Sequence, residues 1–408
     1  MAATPARLDL RPDVEALTPG LVALRRQLHQ HPELAFEEVW TAATLAGRLR
    51  GLGLAVHEGF GGTGVLAMLD GARPGKTLLV RADIDGLPMD DTTGRPYAST
   101  LAQRNHACGH DVHAAIVVGV ADVLARHRAR MAGRVAFVFQ PADEPMRGAL
   151  RMIEDGLLKR VEPDVSLGLH VLPMAKVGQV VVQRGPIWAS WDTRTLTISG
   201  PVPTAAPASF DLARTAAQVT SALYDLVQRE GPSAEPVIFR VRSLHAEQRG
   251  EGATAQAGVD VLLGRGRPSQ ATLEINLAVY DNTLRARLLD RLREVAAAVV
   301  STAGGILDMT ADYALPALLN DESVTGAVER AAQQVVGEAN IITGWRNRFS
   351  DDFGLFMAAA PGCLMLLDTA NPEKGITEIW HRPGFDVDED ALPIGVEILA
   401  LAALDLLQ

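Results

Sequence analysis

Three short runs set the fold class of this chain: Leu78-Leu79-Val80, residues 135–139 and residues 165–169 read as continuous strands, without alternation of polar and apolar positions. A strand with one wet face alternates, whereas one covered on both faces does not. Strands of that kind belong to parallel sheets, whose crossover helices supply the cover. The intervening sequence provides them. Helical spacing recurs over 112–127 and 148–158, two helices between about 19 and 50 flank the His31-Pro32 step, and further strands read at 63–69 and 77–81. After about 185 the texture changes to an alternating strand at 193–199, a helix at 210–228, strands near 237–244, 259–263 and 272–280, and a helix at 282–300. That order suits a four-stranded antiparallel sheet carrying two helices. The first pattern resumes with helices near 323–336 and 352–359, a strand at 363–367 and a closing helix at 390–406. The predicted fold is α/β, a mostly parallel sheet sandwiched by helices. Its discontinuous domain spans 1–185 and 300–408, and 186–299 forms an inserted α+β domain.

Composition narrows the function. With 408 residues, 48% hydrophobic and 21% charged, the chain buries ample core and is not disordered. Lys plus Arg at 38 against Asp plus Glu at 49 gives −11, with no basic run, which argues against nucleic acid or an anionic membrane as partner and for a small molecule. No run nears the roughly 18 apolar residues that span a bilayer, and the first residues, with Arg7 and Arg11, lack the apolar core of a signal peptide, so a cytoplasmic location is expected. The cysteines, Cys108 and Cys363, are far apart, which favours a thiolate ligand or a buried thiol over a disulfide.

Residues able to carry chemistry collect where the strands end. Asp83 and Asp85 follow 77–81, Asp143 and Glu144 follow 134–139, His170 follows 165–169, and His106-Ala107-Cys108-Gly109-His110-Asp111 precedes a helix. Open parallel sheets bind ligands beyond the carboxyl ends of their strands. A thiolate, imidazoles and a carboxylate suit a transition metal and not calcium. Cys108 and His110 can aim at one point because Gly109 releases the turn from helical spacing. Singly, each feature has an ordinary reading: an incidental Cys-x-His, a solvated acidic turn, a structural histidine at a strand end. Their coincidence at one sheet edge is the signal.

Six stretches carry a resemblance: Arg25-Arg26-Gln27-Leu28-His29-Gln30-His31-Pro32-Glu33-Leu34, Arg81-Ala82-Asp83-Ile84-Asp85-Gly86-Leu87-Pro88, the segment from His106 to His113, Phe139-Gln140-Pro141-Ala142-Asp143-Glu144, Gly168-Leu169-His170, and His381-Arg382-Pro383-Gly384-Phe385. In this order over nearly the whole chain, they resemble the signature of the aminoacylase and carboxypeptidase-like dinuclear metallohydrolases. Within that group the chain is most similar to N-acyl-amino-acid amidohydrolases such as hippurate hydrolase and the auxin-conjugate hydrolases. The resemblance implies a split catalytic domain with an inserted lid. It also implies two divalent transition-metal ions (manganese, zinc, nickel or cobalt) on Cys108, His110, Glu144, His170 and His381, with the Cys108 thiolate bridging. His381 is nominated by its motif alone. The implied reaction is amide hydrolysis by metal-activated water, with Asp143 as general base. Asp83 reads either as a partner that orients a ligand or as a turn cap, and His106 and His113 as supports.

Several positions depart from that pattern. The family has Glu where this chain has Asp143, and one methylene fewer withdraws the carboxylate by roughly 1.5 Å. In the inserted domain Thr204 stands where a His reaches over the substrate carbonyl, the expected Asn falls near Ala257-Gly258, and the expected Arg near Leu277-Ala278. Arg346 and Arg348 are candidates for a substituted carboxylate clamp, and Asp351-Asp352 stands where the family has an acid pair. Trp188, Trp191, Trp345 and Trp380 read as packing residues. Three functions follow: hydrolysis of an N-acyl amino acid or related small molecule in an altered pocket, hydrolysis of another C–N bond such as a ring amide or aromatic amine, or metal binding without turnover. A homodimer through an edge strand of the lid domain is left open.

Overall fold

A computed structural model describes residues 8–200, 210–232, 237–247 and 270–408. The chain divides into two compact units, one of Met1–Ile187, Leu318–Arg346 and Asp351–Gln408, the other of Trp188–Ala317 and Asn347–Ser350. The first unit opens with α1 (Arg11–Gln30), α2 (Val39–Gly51), β1 (Ala55–Phe60), β2 (Gly64–Asp70), β3 (Arg73–Asp83), α3 (His110–Arg126), β4 (Ala132–Gln140), α4 (Gly148–Glu154), α5 (Leu157–Val161), β5 (Val165–Leu172), β6 (Val180–Val181) and β7 (Gly185–Trp188). The second unit holds β8 (Trp191–Ser199), α6 (Leu212–Glu230), β9 (Ile238–Glu247), β10 (Gln270–Ala278), α7 (Asn282–Thr302) and β11 (Ile306–Leu315). The first unit then resumes with β12 (Leu318–Asn320), α8 (Glu322–Val335), β13 (Ile341–Ile342), α9 (Phe353–Ala359), β14 (Gly362–Asp368) and α10 (Ala391–Leu406).

The large sheet of the first unit has the order β1-β2-β4-β3-β5-β14-β6-β13. Its central strands β4, β3, β5 and β14 run parallel, while β1 and β2 join antiparallel at one side. Every residue of β5 and of β14 is buried, which explains their continuous rather than alternating sequence. Leu167 and Leu169 of β5 enter the core cluster that also takes Leu24 of α1, Val117 of α3 and Leu399 of α10. Gly168 between them faces the other way, where an added Cβ would lie 2.9 Å from the Phe353 ring of α9. Glycine there lets α9 seat against the sheet. In the second unit β11, β8, β10 and β9 form an antiparallel sheet, and α6 and α7 share its core through Leu223 and Leu292.

The sequence pattern misplaces several boundaries for identifiable reasons. Helix α1 starts at Arg11 and runs through Pro19; the missing proline N–H is tolerated because Val14, Leu21, Leu24 and Leu28 bury one continuous face. The helix expected over 148–158 is two, separated by Gly156 at φ +91°. Strand β1 is half exposed and does not alternate, so it leaves no periodic signal. On one side of β8 in the small sheet lies β11, which shows no apolar period because only Met309 and Leu315 of its ten residues are buried; the run 259–263 lies outside the described residues. Consequently the return to the first unit falls at Leu318 and not near 300. Among the described residues no helix is long and apolar enough to cross a membrane.

Candidate metal centre

Because β3, β4 and β5 are parallel neighbours, their carboxyl ends open on one edge, and the start of α3 meets them there. Gly109 caps α3 at φ +85°, and a Cβ on it would come 2.5 Å from Val171 Cγ2, so the turn that carries Cys108 and His110 requires glycine. After β4 the chain turns through Ala142 at φ +51°. Two acids hold that turn. Glu38 Oε1 accepts from the Ala142 N–H at 2.9 Å, and Asp85 Oδ2 accepts from the Glu144 N–H at 3.0 Å. His381 joins from the end of the chain, its own N–H donating to the Ala107 carbonyl at 2.8 Å.

All five residues expected as ligands come together. Donor atoms of Cys108, His110 and Glu144 lie within 4.8 Å of one another. Cys108 Sγ is 3.6 Å from His170 Nε2, His110 Nε2 is 4.0 Å from Glu144 Oε1, and His381 Nε2 is 3.4 Å from Glu144 Oε2. Hydrogen bonds set the tautomers of the buried pair. His110 Nδ1–H donates to the Asp85 carbonyl and carboxylate at 2.9 and 3.0 Å, and His170 Nδ1–H donates to the Val171 carbonyl at 2.8 Å. Both Nε2 lone pairs therefore turn toward the cluster, the arrangement that metal-binding histidines adopt. His113 differs. Its Nε2 accepts from the Val171 N–H at 2.8 Å and its Nδ1–H donates to Asp83 at 2.5 Å, which leaves no lone pair for a metal. Asp83 thus pairs with His113 and with Arg81, at 2.7 Å, and the residue that holds His110 is Asp85.

The electrostatics call for a cation. His110 Nε2 and Glu144 Oε1 are buried with no hydrogen-bond partner among the described residues, a costly arrangement unless something else satisfies them. Burial, partly offset by His110, pushes the Glu144 carboxyl up to about 8. Burial with the adjacent His113 holds His170 down at about 3, hence neutral and able to ligate. Burial also raises the Cys108 thiol well above its ordinary value. A divalent ion reverses the Glu144 and Cys108 shifts by favouring the ionised forms. Beside the cluster, Asp143 pairs with the fully buried Arg81. Burial alone would raise that carboxyl, but the guanidinium overrides it and holds Asp143 below the ordinary carboxylate value.

Other candidates fall elsewhere. Trp380 is no mere packing residue: its Nε1–H donates to the Val171 carbonyl at 3.1 Å and its ring meets His170 edge-on at 5.6 Å. Arg346 and Arg348 are exposed, and Leu277 and Ala278 are buried apolar positions of β10. Thr204, Ala257 and Gly258 lie outside the described residues. Sequence reasoning passed over Arg81, Glu38 and the grip of Asp85. For Arg81 a signal exists, since an arginine inside a strand covered on both faces must be paired.

Comparison with known proteins agrees with this geometry. The peptidase family M20/M25/M40 matches residues 79–405. N-acetylcysteine deacetylase of Bacillus subtilis is 30% identical over 95% of this chain and 97% of that protein. Thermostable carboxypeptidase 1 of Saccharolobus solfataricus is 29% identical over 97% of each. Among solved structures, the YXEP protein of Bacillus subtilis, described as a dinuclear metal-binding peptidase, superimposes with a TM-score of 0.77 at 29% identity, covering 96% of this chain and 99% of that one. The chain belongs to peptidase family M20/M25/M40.

Proposed function

We propose that this protein hydrolyses the amide bond of an N-acyl amino acid or a related small molecule, with Cys108, His110, Glu144, His170 and His381 holding two divalent ions and Asp143 as general base. One observation carries the reading: His110 Nε2 and Glu144 Oε1, buried and without hydrogen-bond partners among the described residues, face each other across 4.0 Å. Relatives named for deacetylation and for peptide cleavage support an amide as the bond attacked. Bound divalent ions supply Lewis acidity and a water that is acidic near neutral pH. The protein does the rest. Asp85 and the Val171 carbonyl keep the two buried imidazoles in the tautomer that presents Nε2. Asp143 has one oxygen on Arg81 and the other, Oδ2, 3.8 Å from His110 Nε2, where it takes a proton from the attacking water and returns it to the leaving amine.

The test is a panel of N-acyl amino acids assayed with protein stripped by a chelator and reloaded with manganese or zinc. Turnover should need the metal, and Asp143→Asn should lower kcat by roughly 10²- to 10⁴-fold while the metal content stays the same. Failure of the loaded protein to cleave any member refutes the substrate class; full turnover by Asp143→Asn removes Asp143 from the reaction.

A further inference from the structure

Arg81 lies near the end of β3 with its side chain fully buried. Its Nε–H donates to Gln140 Oε1 at 3.0 Å and Nη1–H to Asp83 at 2.7 Å. Nη2 meets Asp143, with Asp351 and Asp352 at 3.2 and 3.4 Å. Asp351 and Asp352 come from the start of α9, and Asp352 is itself anchored, accepting from Gln140 Nε2 at 2.6 Å and from the Ala149 N–H at 2.9 Å. A guanidinium is a planar fork with donors in fixed directions, so one held on several sides can present its remaining N–H in a single place. Here that place is Asp143 Oδ1, and the consequence is that Oδ2 is turned toward His110 Nε2.

We infer that Arg81, gripped by Asp351 and Asp352, is the positioning residue of Asp143: it fixes one carboxylate oxygen so that the other faces the ligand cluster, a placement the short side chain cannot secure by reach. The inference rests on Asp143 being the general base. It also gives the Asp351-Asp352 pair a task two steps from the substrate.

A double-mutant cycle with the metal-loaded protein tests it. Arg81→Lys keeps the charge and loses the fork. In the wild-type background kcat should fall roughly ten- to a hundredfold, as about 1 Å of misplacement does, with KM within about twofold and metal content unchanged. In the Asp143→Asn background the same substitution should lower kcat no further, because a residue acting only through Asp143 has nothing left to place. Equal losses in both backgrounds, or no loss in either, overturn the inference. Should Arg81→Lys not fold, Asp352→Asn serves in the same cycle: it keeps an acceptor for the Ala149 N–H while turning an amide donor on the guanidinium, and the same outcomes decide. If Asp143→Asn turns over like the wild type, the base assignment falls and this inference with it; if it is inactive while the cycle shows equal losses, only the positioning role falls.

Discussion

Asp85→Asn separates the hold on His110 and Glu144 from these two proposed ligands themselves. The Asp85 carboxylate is 1% exposed, with one oxygen on His110 Nδ1–H at 3.0 Å and the other on the Glu144 N–H at 3.0 Å. An amide has a single oxygen, so it can satisfy one of these donors and must turn N–H toward the other. The cheaper orientation gives the oxygen to Glu144, since His110 Nδ1–H keeps the Asp85 main-chain carbonyl at 2.9 Å. What is lost is one charge-assisted bond in a buried place, about 1.5–3 kcal/mol. At 1.4 kcal/mol per factor of ten, that is roughly a ten- to hundredfold weaker hold on a divalent ion, the range seen when a ligand's outer partner is removed. Asp85→Ala, which abandons both donors, should lose more. Competition with a chromophoric chelator measures the affinity, and a urea midpoint in excess chelator reports how much of the loss is folding alone. Metal affinity within about twofold of wild type, with or without a lowered midpoint, would refute the claim that Asp85 sets the ligand geometry.

Two further outcomes follow from the same contacts. Gly109→Ala adds a methyl 2.5 Å from Val171 Cγ2 at φ +85°, so the thermal midpoint should drop by an amount equivalent to about 2 kcal/mol or more; an unchanged midpoint contradicts the need for glycine at that cap. The metal-free protein should lose stability as pH rises from 6.5 to 8. Burial raises Glu144 to about 8, Asp351 to about 7 and Asp352 well above its ordinary value, so the folded state keeps protons that the unfolded chain has released. For an acid whose folded value is raised, stability falls with pH until that value is passed, by about 1.4 kcal/mol per pH unit for each retained proton. A divalent ion lets Glu144 ionise and should flatten the curve. Urea midpoints that rise with pH in chelator, or a slope unaffected by metal, would contradict this.

The strands that position the site were legible because burial on both faces imposes a sequence pattern, as in β4 and β5, and their carboxyl ends could then be listed for donors. Strand β11 was not legible, since two buried residues in ten make no period. The same limit applied to side chains. His113 and His170 both read as histidines beside the centre, yet one spends both nitrogens on Asp83 and Val171 while the other keeps Nε2 toward Cys108. Nothing local distinguishes them, because the partners of His113 and the Cys108 that His170 faces all lie 30 or more residues away.

The sequence by itself determined the order of elements and the sheet edge where donors gather, and through motif order it nominated the five residues proposed as ligands, because periodicity and residue chemistry are properties of short stretches. The tertiary structure alone decided which nitrogen of each imidazole faces the cluster, that Asp85 spans His110 and Glu144, and that Arg81 ties Asp143 to an acid pair 270 residues away. A hydrogen bond is fixed by distance and direction between atoms, and those exist only once the chain has closed on itself.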